Sequence, residues 1–204
     1  MQVLSCQRGV SLIRPRRPGR AGGCSSGHGA GRRERGFTLV ELMITMTVAV
    51  VLIMIAVPSF KNLTLSNKLN TTANDIVNAI HVARMEAIKR NASTQLCSNS
   101  ASVNSGDTLG TACGTQTGAV FATGTADPVL AATPGITGAV QLSGDVTALR
   151  FGGQGLGQAV GSTSAYTGTV ADICTSQMDK DNHRVVAMTT GSILAVTTQS
   201  GACP

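Results

Sequence analysis

Residues 37–57 read FTLVELMITMTVAVVLIMIAV, 21 positions with one charge among them, Glu41. As a helix the run is about 31 Å long, close to the roughly 30 Å hydrocarbon core of a bilayer. It reads as a membrane segment. Arg32, Arg33 and Arg35 stand immediately before it. Basic residues flanking a span are retained in the cytoplasm, which places everything after Val57 in the periplasm or beyond.

The charge distribution changes at the same boundary. Eight of the 16 Lys and Arg residues precede Phe37, against one acid there, Glu34; from Phe37 onward eight basic residues face nine acidic ones. The formal charge of +6 therefore belongs to residues 1–36, a Gly-, Arg-, Pro- and Ser-rich stretch expected to have no packed structure. If that stretch is a removable leader, the global charge says nothing about partners. Aromatic content of 2%, with no Trp and one Tyr, excludes a core built on large rings and a surface of stacked aromatic platforms for single-stranded nucleic acid.

Cys6 and Cys24 precede the boundary, whereas Cys97, Cys113, Cys174 and Cys203 follow it. None is in a C-x-x-C pair, and no histidines stand at ligand spacing, so zinc is the weaker reading. Four such cysteines in a Gly/Thr/Ser-rich region read as disulfide partners in an oxidising compartment. Three pairings are possible; Cys97 with Cys113 and Cys174 with Cys203 is preferred because both close local loops.

Pro58 would break or kink an ordinary helix, yet a helical pattern resumes beyond it. Leu69, Ala73, Ile76, Ile80, Ala83 and Ala87 recur at three- and four-residue steps, with Asn70, Asp75, Asn78, Arg84 and Lys89 on other faces. Residues 58–91 therefore read as an amphipathic continuation of the membrane helix. After Asn91 short apolar runs at 95–97, 119–122, 146–151, 169–174, 184–188 and 193–196 are broken by glycine, a strand and turn rhythm. The last two runs form a hairpin whose turn, residues 189–192, uses Gly191 for positive φ.

Glu41 is the most informative residue. A carboxylate five positions into a membrane helix costs on the order of a few kcal/mol, so it needs a partner or a task. The bland reading is an interfacial acid that snorkels to the headgroups. The sharper one supplies a cation at matching depth: the α-amine exposed on Phe37 of a neighbouring helix by cleavage between Gly36 and Phe37.

Residues 35–41, Arg-Gly-Phe-Thr-Leu-Val-Glu, resemble the processing site of type IV prepilins and of type II secretion pseudopilins. In that family a membrane aspartyl protease, the prepilin peptidase, cuts after the glycine and N-methylates the new phenylalanine. Gly36, Phe37, Glu41 and Pro58 fall where the pattern expects them. Residues 83–91, followed by Thr94-Gln-Leu-Cys97, look like the helix end and first strand of the GspH/FimT pseudopilins. The same residues also satisfy a plain helix terminus, since Lys89 and Arg90 complement the C-terminal dipole and Asn91 tolerates a left-handed cap.

The resemblance implies an α+β, type IV pilin-like fold in which one long N-terminal helix, transmembrane half plus amphipathic half, packs on a C-terminal antiparallel β-rich head. Its segments are a leader (1–36), a transmembrane helix (37–57), an amphipathic continuation (58–91) and a periplasmic head (92–204). It implies a minor pilin or pseudopilin at or near the tip of a type II secretion pseudopilus or type IV pilus, with other pilins, prepilin peptidase and inner-membrane lipid as partners and no cofactor. The subunit is single-pass in the inner membrane, cytoplasmic at its N-terminus, and then enters the filament. The leader is longer than cleavage requires, which initiation at Val10 would explain.

Two other readings compete. FimT proteins proposed to bind DNA resemble one another in a basic Gly-Arg-x-Arg stretch, and here the corresponding turn reads Gly191-Ser192-Ile193-Leu194. With Arg150, Lys180 and Arg184 as the only basic residues of the head, few phosphates can be neutralised, which argues against nucleic acid. A signal-anchored periplasmic binding domain is the rival from another class, but an anchor has no use for Gly36-Phe37 or Glu41. Catalytic readings are weak. Gly23-Cys-Ser25-Ser-Gly27 matches G-x-S-x-G inside the leader with no strand before it, and Asp172, Asp179, Asp181 and His183 read as a polar hairpin approach rather than a triad or a calcium site. Gly152 to Gly157 lacks the dinucleotide spacing and reads as a loop. No metal site and no enzyme is expected.

Overall fold

The computed structural model describes residues 36–104, 106–189 and 193–204. The leader reading for residues 1–35, with Cys6, Cys24, the Val10 start and the G-x-S-x-G string, lies outside the described residues. The described residues fall into two units that divide between Met43 and Ile44.

Helix α1 (Leu39–Arg90) is 52 residues long and includes Pro58. Proline removes one i to i−4 bond there, and the helical assignment is uninterrupted. Its N-terminus is capped by Thr38, whose Oγ1 accepts a hydrogen bond from the Glu41 amide at 3.2 Å. Its C-terminus ends on Asn91 in the left-handed region (φ 47°), with the Ala92 amide returning to the Ala87 carbonyl at 3.2 Å, a Schellman-type closure.

The strands are β1 (Thr94–Leu96), β2 (Val120–Ala122), β3 (Gln141–Leu142), β4 (Leu149–Phe151), β5 (Gly157–Ala159), β6 (Gly168–Cys174), β7 (His183–Thr189) and β8 (Ile193–Gln199), with a short helix α2 (Thr108–Cys113) between β1 and β2. They make two antiparallel sheets, ordered β2-β1-β4-β5 and β3-β6-β7-β8. The arrangement is α+β and pilin-like, one long apolar helix followed by antiparallel sheets. Each of the six apolar runs overlaps a strand; α2, β3 and β5 are additional. The final hairpin pairs Thr189 with Ile193; its turn, including Gly191, lies outside the described residues.

The six apolar positions 69, 73, 76, 80, 83 and 87 are all buried, together with Leu65, Thr72 and Ala79. They pack with Leu96, Leu149, Phe151, Ile173, Val186 and Met188 from both sheets in one cluster. This core is aliphatic apart from Phe151. Phe121, also buried, sits with Leu109 and Ala119 around Cys97 and Cys113 in a second, smaller cluster.

Candidate functional site

Of the residues expected to serve processing and assembly, Gly36, Phe37 and Glu41 lie at the start of α1, and Pro58 lies inside the helix. Gly36, Phe37, Thr38 and Glu41 line a recess of about 300 Å³, and Phe37 is 81% exposed. Thr38 and Glu41 stand at capping-box spacing. The Glu41 backbone amide, which donates to Thr38 Oγ1, sits in the first turn of α1. The signal, Thr-x-x-Glu before an apolar run, was present in the sequence.

The large apolar side chains from Leu39 through Leu63 are exposed, among them Met46, Ile53, Ile55 and Phe60, and Leu65 is the first buried position. The helix is long and apolar enough to cross a membrane. An apolar surface on this scale needs lipid or other protein around it.

In the second unit, β7 is tied to α1 by a charge. Arg184 is 5% exposed; its Nε donates to Asn70 Oδ1 at 2.6 Å, Nη2 to Ser66 Oγ at 3.0 Å, and Nη1 to the carbonyls of Asp181 and His183. Its neighbours on that face of β7, Val186 and Met188, enter the core. The Thr94 hydroxyl adds a buried bond to the Ala83 carbonyl at 2.7 Å, fixing β1 to the same helix.

Arg150 on β4 reaches Asp107 at 2.6 and 3.0 Å and donates to Gln95. Asp107 Oδ1 also accepts from the Gly110 amide at 3.0 Å, capping α2. Gln95 continues the network to Asn104, whose carboxamide oxygen accepts from the Ser98 amide and whose NH₂ donates to the carbonyls of Ser98, Ser100 and Gly114. Two of the head's three basic side chains are thus committed within the protein, and Lys180 carries the third charge.

Disulfides join Cys97 to Cys113 and Cys174 to Cys203. The second holds the chain end against β6, where Asn182 and Gly201 exchange two hydrogen bonds of 2.9 and 3.0 Å. Under this segment His183 is 5% exposed, with Nδ1 at 2.9 Å from Asp172 Oδ1 and Nε2 buried without a partner. Among the described residues no three His, Cys, Asp or Glu side chains come together to hold a metal. Asp181 instead occupies a left-handed turn position (φ 52°), its amide donating to Ser200 Oγ at 2.8 Å. His81 is exposed on α1. Residues 152–156 form a loop ahead of β5, with Gly153 in close approach to the Asn91 carboxamide.

Two family models match this chain. The prokaryotic N-terminal methylation motif covers residues 31–57, and the Type II transport protein GspH model covers residues 72–192, more than half of the sequence. The chain belongs to the GspH family. No curated protein and no solved structure matches it.

GspH-family proteins are structural, non-enzymatic components of secretion pseudopili. Membership makes this chain a minor pseudopilin of the type II secretion and type IV pilus class, and implies interaction with other pilins or pseudopilins and with prepilin peptidase. The methylation motif and the apolar helix fit an inner-membrane anchor with a periplasmic head. The GspH match begins at Thr72, within the buried face of α1, and takes in the string 83–91. Ala83 and Ala87 of that string are core residues. Its charges form a local cluster: Glu86 is 2.7 Å from Arg90 and 3.3 Å from Lys89, and these hydrogen bonds, Arg90 first, hold its carboxyl below the ordinary glutamate value.

Proposed function

We propose that this GspH-family chain is cut between Gly36 and Phe37, N-methylated on Phe37, and assembled at or near the tip of a type II secretion pseudopilus or type IV pilus. The apolar helix, residues 37–57, waits in the inner membrane with the head in the periplasm. Assembly then replaces lipid with neighbouring helices, so extraction need not expose Leu and Ile side chains to water. Glu41 pairs with the Phe37 amine of a neighbour. An ion pair in so apolar a place is tolerated only when both charges are present, because a lone buried charge keeps its desolvation penalty.

The observation that carries this reading is the coincidence of the methylation motif at residues 31–57 with an exposed apolar helix whose only acid in that run is Glu41. A DNA-uptake role draws no support from the head, where Arg150 is salt-bridged to Asp107 and Arg184 is buried. Intact-mass measurement of the membrane-extracted protein tests processing. The mature chain is expected to begin at methylated Phe37; a mature protein retaining Arg35 contradicts the proposal.

A further inference from the structure

The four sheet edges are treated very differently. β2 is covered by residues 129–130: the Val120 amide donates to the Leu130 carbonyl at 2.9 Å, and the Val129 amide to the Val120 carbonyl at 2.7 Å. β5 is covered by residues 165–166, with an isolated bridge between Gln158 and Ala165 and the Tyr166 amide on the Gly157 carbonyl at 2.8 Å. β3 is two residues long and sits beside Cys174, which the Cys203 disulfide anchors. β8 is the exception. It has seven residues, is paired on one side with β7 along its whole length, and among the described residues pairs with nothing on the other.

β8 also lacks the usual protections of an edge. Residues 193–199 are Ile, Leu, Ala, Val, Thr, Thr and Gln, with no charge and no proline, and no bulge interrupts the β7–β8 register. Ile193 is 65% and Val196 44% exposed, on opposite faces of the strand. A strand of this length presents a row of outward N–H and C=O groups over about 24 Å. An edge so built pairs with any matching strand that meets it.

We infer that the β8 edge is a docking strand for an extended, uncharged segment in the head of another pseudopilin of the same assembly, added antiparallel or parallel to Ile193–Gln199. The inference rests on the assembly reading above and names the surface through which it operates. The recognition mode is strand addition, in which main-chain hydrogen bonds give affinity and alternate side chains give register. Size selects the occupant. One seven-residue edge buries far less than the roughly 1,200 Å² of a standard stable interface, so it does not hold free copies together. A neighbour confined in the same membrane or filament meets it at an effective concentration on the order of millimolar, where a weak edge contact suffices.

The test uses the full chain in cells that carry the complete assembly, with benzoylphenylalanine introduced in place of exposed Thr197, or in place of Leu52 on the apolar helix, and adducts mapped by mass spectrometry. Thr197 is expected to give adducts to one extended head segment of another pseudopilin. These should fall at least tenfold when Ala195→Lys and Gln199→Lys are added, and persist with the remote surface change Ala126→Lys, all variants being checked for intact disulfides. Pseudopilin adducts from Leu52 but none from Thr197 overturn the edge proposal and leave assembly standing. No adducts from either position overturn both. Adducts from Thr197 to lipid or to a second copy of this chain, or adducts insensitive to the two lysines, also overturn the proposal.

Discussion

Replacing Arg184 by Ala removes a buried guanidinium that donates to Ser66, Asn70 and two backbone carbonyls, of which the His183 carbonyl is in a buried bond. Hydrogen bonds to a charged group contribute about 1.5–3 kcal/mol, and unsatisfied buried partners add to the loss. Arg184→Ala is therefore expected to destabilise the protein by about 2–4 kcal/mol, read as a lower denaturant midpoint of the purified chain in detergent. Glu86 acts in the opposite regime. It pairs with Arg90 and Lys89 at the surface, where exposed pairs are weak. Because its folded-state pKa is lowered, its contribution is present above the unfolded value and is lost as pH falls through the folded one. A Glu86→Gln variant should match wild type in acid and fall slightly below it at neutral pH, in paired thermal melts at the two conditions.

Among the elements, α1 was the most legible, because a three- and four-residue apolar step over 19 residues leaves one solution for the buried face. All of its expected core positions are buried. Ile80, 2% exposed, tests that packing: Ile80→Ala is expected to cost about 2–5 kcal/mol, whereas the same change at exposed Ile88 should be nearly silent in the same denaturation assay. The six strand runs were legible for a similar reason, since β-branched and aromatic residues bounded by glycine carry their own signal. β3 and β5 were not: two residues and the sequence Gly-Gln-Ala have too little pattern to register, and tertiary pairing decides them. Helix α2 carries Gly110 in its interior, which lowers helix propensity, and only Asp107 as its cap announced it. Asp107→Ala should therefore melt α2 and release Arg150, at a cost of about 1–2 kcal/mol from the cap, seen as early hydrogen exchange at Leu109 to Ala112. The Gln95 to Asn104 network was invisible beforehand because its partners come from separate loops and strands, and no spacing encodes them.

At the scale of the whole molecule, two disulfides close segments of 16 and 29 residues. In the chain-entropy account these loops contribute about 3–4 kcal/mol each, a large share of the stability of a typical domain. Non-reducing peptide mapping of protein isolated from cells should recover both pairs, and replacing Cys97 and Cys113 by Ser should lower the denaturation midpoint by an amount in that range. Free thiols at these positions in cell-derived protein would contradict an oxidising location for the head. The central claim, that the charge of Glu41 joins one subunit to the next, has to be separated from its place in the Thr38 cap. Glu41→Gln does this, because Gln keeps capping-box chemistry while removing the charge. The decisive measurement is crosslinking of the Glu41→Gln subunit to partner pseudopilins in the membrane, with insertion measured in parallel. The account predicts normal insertion and at least a tenfold loss of crosslinked product; crosslinking at the wild-type level would mean that Glu41 serves only the start of its own helix.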